Sequence, residues 1–160
     1  MVFSTHIPPL QLATRAALAA GMAVEIAELL RLDFPLYALI GAVIVTDLSP
    51  AQTRHLAVRR LVGTLVGATV GATCSTYLPP GSLAIGSGIL VAMFLSHVLR
   101  LQAAATVAGY VCGIVVLDHG HHPWVYALHR LVETVLGIGA AVLISHFPKL
   151  LREGNSSRQD

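Results

Sequence analysis

Two stretches of this chain carry no charge for about as long as a bilayer crossing requires. Leu61 to Leu78 contains no Asp, Glu, Lys or Arg over 18 residues, and Tyr77 to Ser96 none over 20. Leu101 to Leu117 adds 17 more. A spanning helix needs ~20 mainly apolar residues, so these runs have the length that hydrocarbon selects. Across all 160 residues only 11% are charged and 55% are apolar, whereas a soluble domain carries about 25% charged residues. A 16.8 kDa globule with so few polar groups could not cover its surface in water. With 14 Gly, 8 Pro and 2 Cys, collagen, disordered and disulfide-stapled classes are excluded as well. The chain reads as an integral membrane protein.

Three further candidate spans are less clean. The segment 12–30 carries Arg15, Glu25 and Glu28, and 34–46 offers only 13 uncharged residues before Asp47. The segment 124–147 carries His129, Arg130 and Glu133. A four-span chain with surface helices is therefore the alternative to six spans. Turn and helix-stop residues at Asp33-Phe34-Pro35, Leu48-Ser49-Pro50, Pro79-Pro80-Gly81, His97 to Arg100 and His119 to Pro123 favour six. They predict helices over 10–31, 35–48, 52–78, 82–99, 102–118 and 123–147. The expected fold is all-α, a polytopic membrane protein with a six-helix domain over 10–148. A short N-terminal segment, 1–9, and a polar tail, 149–160, flank it. Phe34, Tyr37, Tyr77, Trp124 and Tyr126 fall near the expected edges, where aromatic rings gather at a membrane interface. The first ten residues lack a basic region and an apolar core of signal-peptide type, so the first helix is expected to be retained.

Basic residues set the expected orientation. With six spans and both termini cytoplasmic, Arg15, Arg54, Arg59, Arg60, Arg100, Lys149, Arg152 and Arg158 fall inside, and only Arg31 and Arg130 outside. The predicted location is the inner (plasma) membrane.

An internal repeat then constrains topology. Residues 57–67 align with residues 127–137 at a shift of 70, with six of eleven positions identical: A-x-x-R-L-V-x-T-x-x-G. Leu30-Arg31-Leu32 echoes Leu99-Arg100-Leu101, and Val45-Thr46-Asp47 echoes Val116-Leu117-Asp118. Repeat 1 covers about 10–78 and repeat 2 about 82–147. Each unit would hold three spans, an odd number, so the second copy must lie upside down. Arg60 and Arg130, and likewise Asp47 and Asp118, then approach from opposite ends. Inverted repeats are a common transporter plan, with substrate handled between the halves.

Ionised groups inside a bilayer cost ~2.5–3.5 kcal/mol each on the lenient insertion scale, and therefore face a bundle interior, water or each other. Arg130, Glu133, Thr134 and Gly137 share one helix face, as do Glu25 and Glu28. Either snorkelling at the interface or pairing with one another is open to these charges. Gly63, Gly67 and Gly71, four residues apart, form a small-residue ladder suited to close helix packing.

Two motifs carry a family resemblance. Pro35-Leu36-Tyr37-Ala38 opens the second helix, and Arg60-Leu61-Val62-Gly63-Thr64-Leu65-Val66-Gly67 follows after a loop. With Arg130-Leu131-Val132-Glu133-Thr134-Val135-Leu136-Gly137, this resembles the fusaric-acid-resistance and aromatic-acid-exporter family, to which plant aluminium-activated malate transporters are also similar. The resemblance spans about 10–147. It implies a six-helix module that moves organic or inorganic anions, paired as a homodimer or higher homo-oligomer. It also implies that Arg60 and Arg130, with Thr64 and Thr134 beside them, line an electropositive path. Tyr37 stands where many relatives have Trp. Arg binds carboxylate through a planar fork and stays charged at any relevant pH. Glu25, Glu28, Glu133, Asp47 and Asp118 could neutralise those arginines or relay protons.

Other chemistry is weak. His119-Gly120-His121-His122 reads as a solvated loop rather than a zinc site, which needs three or four converging ligands. Cys74 and Cys112 read as small packing groups. No catalytic set, cofactor or nucleic-acid signature is present, so membrane lipids and small anions are the expected partners. A non-transporting membrane scaffold or accessory subunit is the alternative to an exporter or channel.

Overall fold

The computed structural model describes residues 7–118 and 122–147, with side chains from Leu10 onward. Six helices follow in order: α1 (Ile7–Leu29), α2 (Pro35–Val45), α3 (Pro50–Tyr77), α4 (Ser82–Val98), α5 (Gln102–Leu117) and α6 (Pro123–Ser145). No strand occurs among the described residues. The breaks fall where the turn residues place them, and no helix end moves by more than three residues. Proline opens α2, α3 and α6, where its missing N–H would have been unpaired anyway.

The uncharged sequence runs and the helices do not coincide. Tyr77 to Ser96 straddles the Pro79-Pro80-Gly81 break, so that run is divided between two helices. By length and composition, Leu10–Leu29 and Pro123–Ser145 can cross a membrane, whereas α2, α4 and α5 are shorter apolar helices. Helix α3 has 28 residues, but Arg54, Arg59 and Arg60 make its first third polar.

The packing exchanges partners between the two halves. Helix α1 packs on α2 and α6, as α4 packs on α5 and α3. Helix α2 leans on α6, as α5 leans on α3, and α3 meets α6 at the centre. Adding three to each helix number thus reproduces the same neighbours.

The two α1- and α4-terminal stops are also alike. Arg31 (φ 53°) and Arg100 (φ 60°) are, among the described residues, the non-glycine residues in the left-handed region. Leu32 N–H donates to the Ala27 carbonyl (2.9 Å) and Leu101 N–H to that of Ser96 (2.8 Å). Arg31 N–H reaches Glu28 (2.9 Å) and Arg100 N–H reaches His97 (3.0 Å). This paired bonding is the Schellman stop, which satisfies carbonyls left over at a helix end. The short Leu-Arg-Leu echo is therefore a repeated piece of structure.

Small residues fill the interior and large ones face outward. Ala19, Ala23, Ala27, Ala38, Ala42, Ala72, Ala92, Ala108 and Ala141 are buried, whereas Leu83 is 88% exposed and Leu90 and Phe94 67%. Such an arrangement suits hydrocarbon, where close backbone packing rather than water exclusion drives helices together.

A candidate functional site: two buried arginines between the halves

Close packing brings the site together. A Cβ on Gly67 would press into the Ala108 carbonyl, and one on Gly137 into the Ala38 carbonyl. Positions 38 and 108 are themselves 70 apart, so the repeat extends to its contacts. Gly71 meets Val115 and Cys112 in the same manner, and Gly63 meets Val107 and Ala104. These contacts seat α3 on α5 and α6 on α2 with backbones nearly touching. The arginines one and two turns earlier are thereby drawn inside.

Arg60 and Arg130 are each only 3% exposed. Arg60 Nη1 donates to the Tyr110 hydroxyl at 2.7 Å. Its Nε has no hydrogen-bond partner and lies 3.8 Å from where a Gly41 side chain would begin. Gly41 also faces Gly137 and the Thr134 carbonyl, so Arg60 reaches from α3 to the α2–α6 seam. Arg130 lies against the face of Tyr37, its Cζ 3.2 Å from the ring centroid. Both Nε and Nη1 of Arg130 lack a partner. The two guanidinium groups are within electrostatic reach of one another. Thr64 and Thr134 are buried beside them; Thr134 donates to the Arg130 carbonyl at 2.8 Å, and the Thr64 hydroxyl is unpartnered.

No described carboxylate lies within 4 Å of either guanidinium, although buried Glu133 is within electrostatic reach of Arg130. Among the described residues the one ion pair within 4 Å joins His129 to Asp33 (3.1 Å), both partly or largely exposed. Glu133 is fully buried, yet its Oε1 accepts from the Phe34 amide at 3.0 Å and its Oε2 is free. Glu25 and Glu28 point outward from α1. Asp47 serves the α2–α3 turn, its carboxylate accepting from Ser49 N–H (3.0 Å). Asp118 is exposed at the end of α5, beside the Tyr126 hydroxyl.

Several participants were hidden in the sequence. Phe34, Tyr37 and Tyr126, expected as interfacial rings, pack on one another instead. Phe34 meets Tyr126 edge-on at 5.3 Å, and the Tyr37 and Tyr126 hydroxyls are 3.0 Å apart. Tyr37 also lies over Arg130, its ring centroid 3.2 Å from Cζ. Tyr77 and Trp124 remain exposed. Arg15, read only as a marker of orientation, is 5% exposed. It donates to the carbonyls of Leu48 (2.8 Å) and Phe147 (3.2 Å), joining the ends of α2 and α6. Its spacing was the available signal, since Arg15 continues the buried stripe Ala19, Ala23 and Ala27.

The remaining features carry less. An apolar groove of about 310 Å³ between α3 and α6, lined by Leu65, Ala68, Trp124 and Leu128 among others, lies on the outer surface. Residues 119–121 of the His-rich tract lie outside the described residues. Among the described residues no three His, Cys, Asp or Glu converge as metal ligands would. Cys74 and Cys112 are both free and meet near Gly88.

An all-helical bundle with apolar side chains on its exterior and two buried arginines in its interior is the architecture of a membrane protein. The model of the fusaric acid resistance protein-like family matches residues 22–144. The chain belongs to that family, a family of membrane transport proteins. No curated protein and no solved structure matches it.

Proposed function

We propose that the protein moves organic or inorganic anions across the membrane, through a site shared by Arg60 and Arg130. The observation that carries this reading is the missing ion pair: two buried guanidinium groups with unpartnered nitrogens and no carboxylate within 4 Å. A lone buried cation in a membrane costs several kcal/mol, and two within reach repel each other as well. An anion seated between them offsets both costs. Arg offers a planar fork suited to carboxylates, and rings of Arg select anions in pores.

The exchanged packing supports six spans arranged as two inverted three-helix repeats, with Arg60 entering from one side and Arg130 from the other. In that arrangement the termini are cytoplasmic, eight of ten basic residues lie inside, and two copies pair. Short helices such as α2 cross only part of the hydrocarbon, as half-helices flanking a central site do.

The test uses the purified protein in liposomes, with efflux of chloride and of benzoate as readout. Flux through the wild type that falls at least about tenfold in both Arg60→Ala and Arg130→Ala is expected. Wild-type liposomes as tight as empty ones, or flux untouched by both substitutions, would leave the scaffold reading standing instead.

A further inference from the structure

Glu133 does not do what its position invites. It lies three residues after Arg130 on α6, a spacing that puts Cβ atoms about 5–6 Å apart on one helix face. Both side chains are buried, and both have polar atoms to spare: Oε2 on the acid, Nε and Nη1 on the base. Yet they form no ion pair. The carboxylate turns instead to the Phe34 amide, which is an orphan donor at the start of α2 and carries the positive end of that helix.

We propose that Glu133 is a tethered competitor for the anion site: its carboxylate alternates between the Phe34 amide and Arg130. On Phe34 it leaves Arg130 open to the transported anion. On Arg130 it fills the anion's place and releases the start of α2. The proposal rests on the anion-transport reading and assigns the residue that regulates access to that site.

Both partners lie within reach of one side chain, since Phe34 N–H is bonded to it and Arg130 is one turn away on the same face of α6. Each position gives the carboxylate a favourable partner, an N-terminal amide in one and a guanidinium in the other, and only the first leaves Arg130 in need of an anion. An arriving anion repels the carboxylate and satisfies Arg130, which confines Glu133 to Phe34. Occupancy of the site is thereby transmitted to the end of α2. That end is poised to respond, because Phe34 and Tyr37 contact each other and Tyr126 there, and Tyr37 covers Arg130. The other half has no equivalent. The matching position is Gly63, seated against Ala104 and Val107 of α5, and Arg60 is held by Tyr110 instead. The competitor acts from one end of the path alone.

The test combines hydrogen exchange and flux on the full chain in lipid, with benzoate as the probe anion. Glu133→Gln keeps an oxygen for the Phe34 amide but offers no charge to Arg130. We expect saturating benzoate to slow exchange over residues 33–42 in the wild type and to leave Glu133→Gln unchanged. The half-saturating benzoate concentration should be about three- to tenfold lower in Glu133→Gln, since a competitor lowers the competent fraction. Lost negative charge alone would also tighten binding, but would not make the response of α2 depend on the anion. Benzoate that saturates flux without altering exchange at 33–42 in the wild type overturns the competitor, and this arm needs no variant. Equal half-saturation in both proteins overturns it too, while transport stands. Absence of benzoate and chloride flux from both proteins overturns the transport reading itself, and the competitor with it.

Discussion

The two halves of the bundle are built on one plan and differ most at a single repeat position. In the first half, position 63 is Gly, and α3 lies flush on α5. In the second half, position 133 is Glu, which occupies the corresponding gap beside the start of α2. The arginines three residues earlier are held accordingly. Arg60 is hydrogen bonded to a tyrosine hydroxyl, whereas Arg130 lies under a tyrosine ring. The two halves thus share a buried arginine and a close glycine contact each, while the surroundings of the two arginines are chemically unequal. On the proposed anion path, that inequality gives a means of admitting the ion from one side in preference to the other.

The comparison can be broken most severely by exchanging the unequal position. Gly63→Glu would drive a side chain into Val107 and the Ala104 carbonyl and bury a charge in a contact that has no room for it. We expect a loss of more than about 3 kcal/mol, seen as failure to accumulate folded protein. Next come the equal positions. Gly67→Ala and Gly137→Ala place a Cβ against the carbonyls of Ala108 and Ala38, and each should cost about 1–3 kcal/mol. Thermal unfolding in detergent measures both, and similar losses support the shared plan. A loss confined to one of them would break it.

The tyrosines sharpen the contrast further. Tyr110→Phe removes the acceptor of a charged donor and should cost about 1.5–3 kcal/mol. Tyr37→Phe keeps the ring over Arg130 and loses only the hydroxyl contact with Tyr126, a change of about 0.5–1.5 kcal/mol. Reversal of that order would mean that Arg130, not Arg60, depends on the hydroxyl. The smallest effect belongs to glycines with open space around them. Gly21→Ala, Gly86→Ala and Gly139→Ala meet nothing within 4 Å, and each should stabilise its helix by about 0.5–1 kcal/mol.

Much of the fold was legible in the sequence because its breaks are chemical. Proline, glycine or acidic turn residues mark every break between helices except that between α4 and α5, where Leu99-Arg100-Leu101 makes the stop, and these act locally. The arginine pair was legible for a different reason: a repeat preserves charge where lipid makes charge costly. What sequence hid was orientation within the bundle. Tyr37 and Tyr126 looked like interfacial rings because nothing local shows that Arg130 turns toward them. Glu133 looked like a partner for Arg130 because spacing on one helix says nothing of the amide that α2 brings to it. Glu25 and Glu28 shared a helix face in the sequence, and only packing revealed that the face points outward. Arg15 was masked by its nearness to the chain start, where basic residues ordinarily mark a membrane side.

The central claim is that Arg60 and Arg130, arriving from opposite halves, hold one anion between them. Bromide anomalous scattering from crystals of the full chain tests it most directly. The account predicts a bromide peak within about 4 Å of both guanidinium groups, lost in Arg60→Gln and in Arg130→Gln crystals. A bromide bound elsewhere in a protein that still passes bromide, with no density between the two arginines, would contradict it.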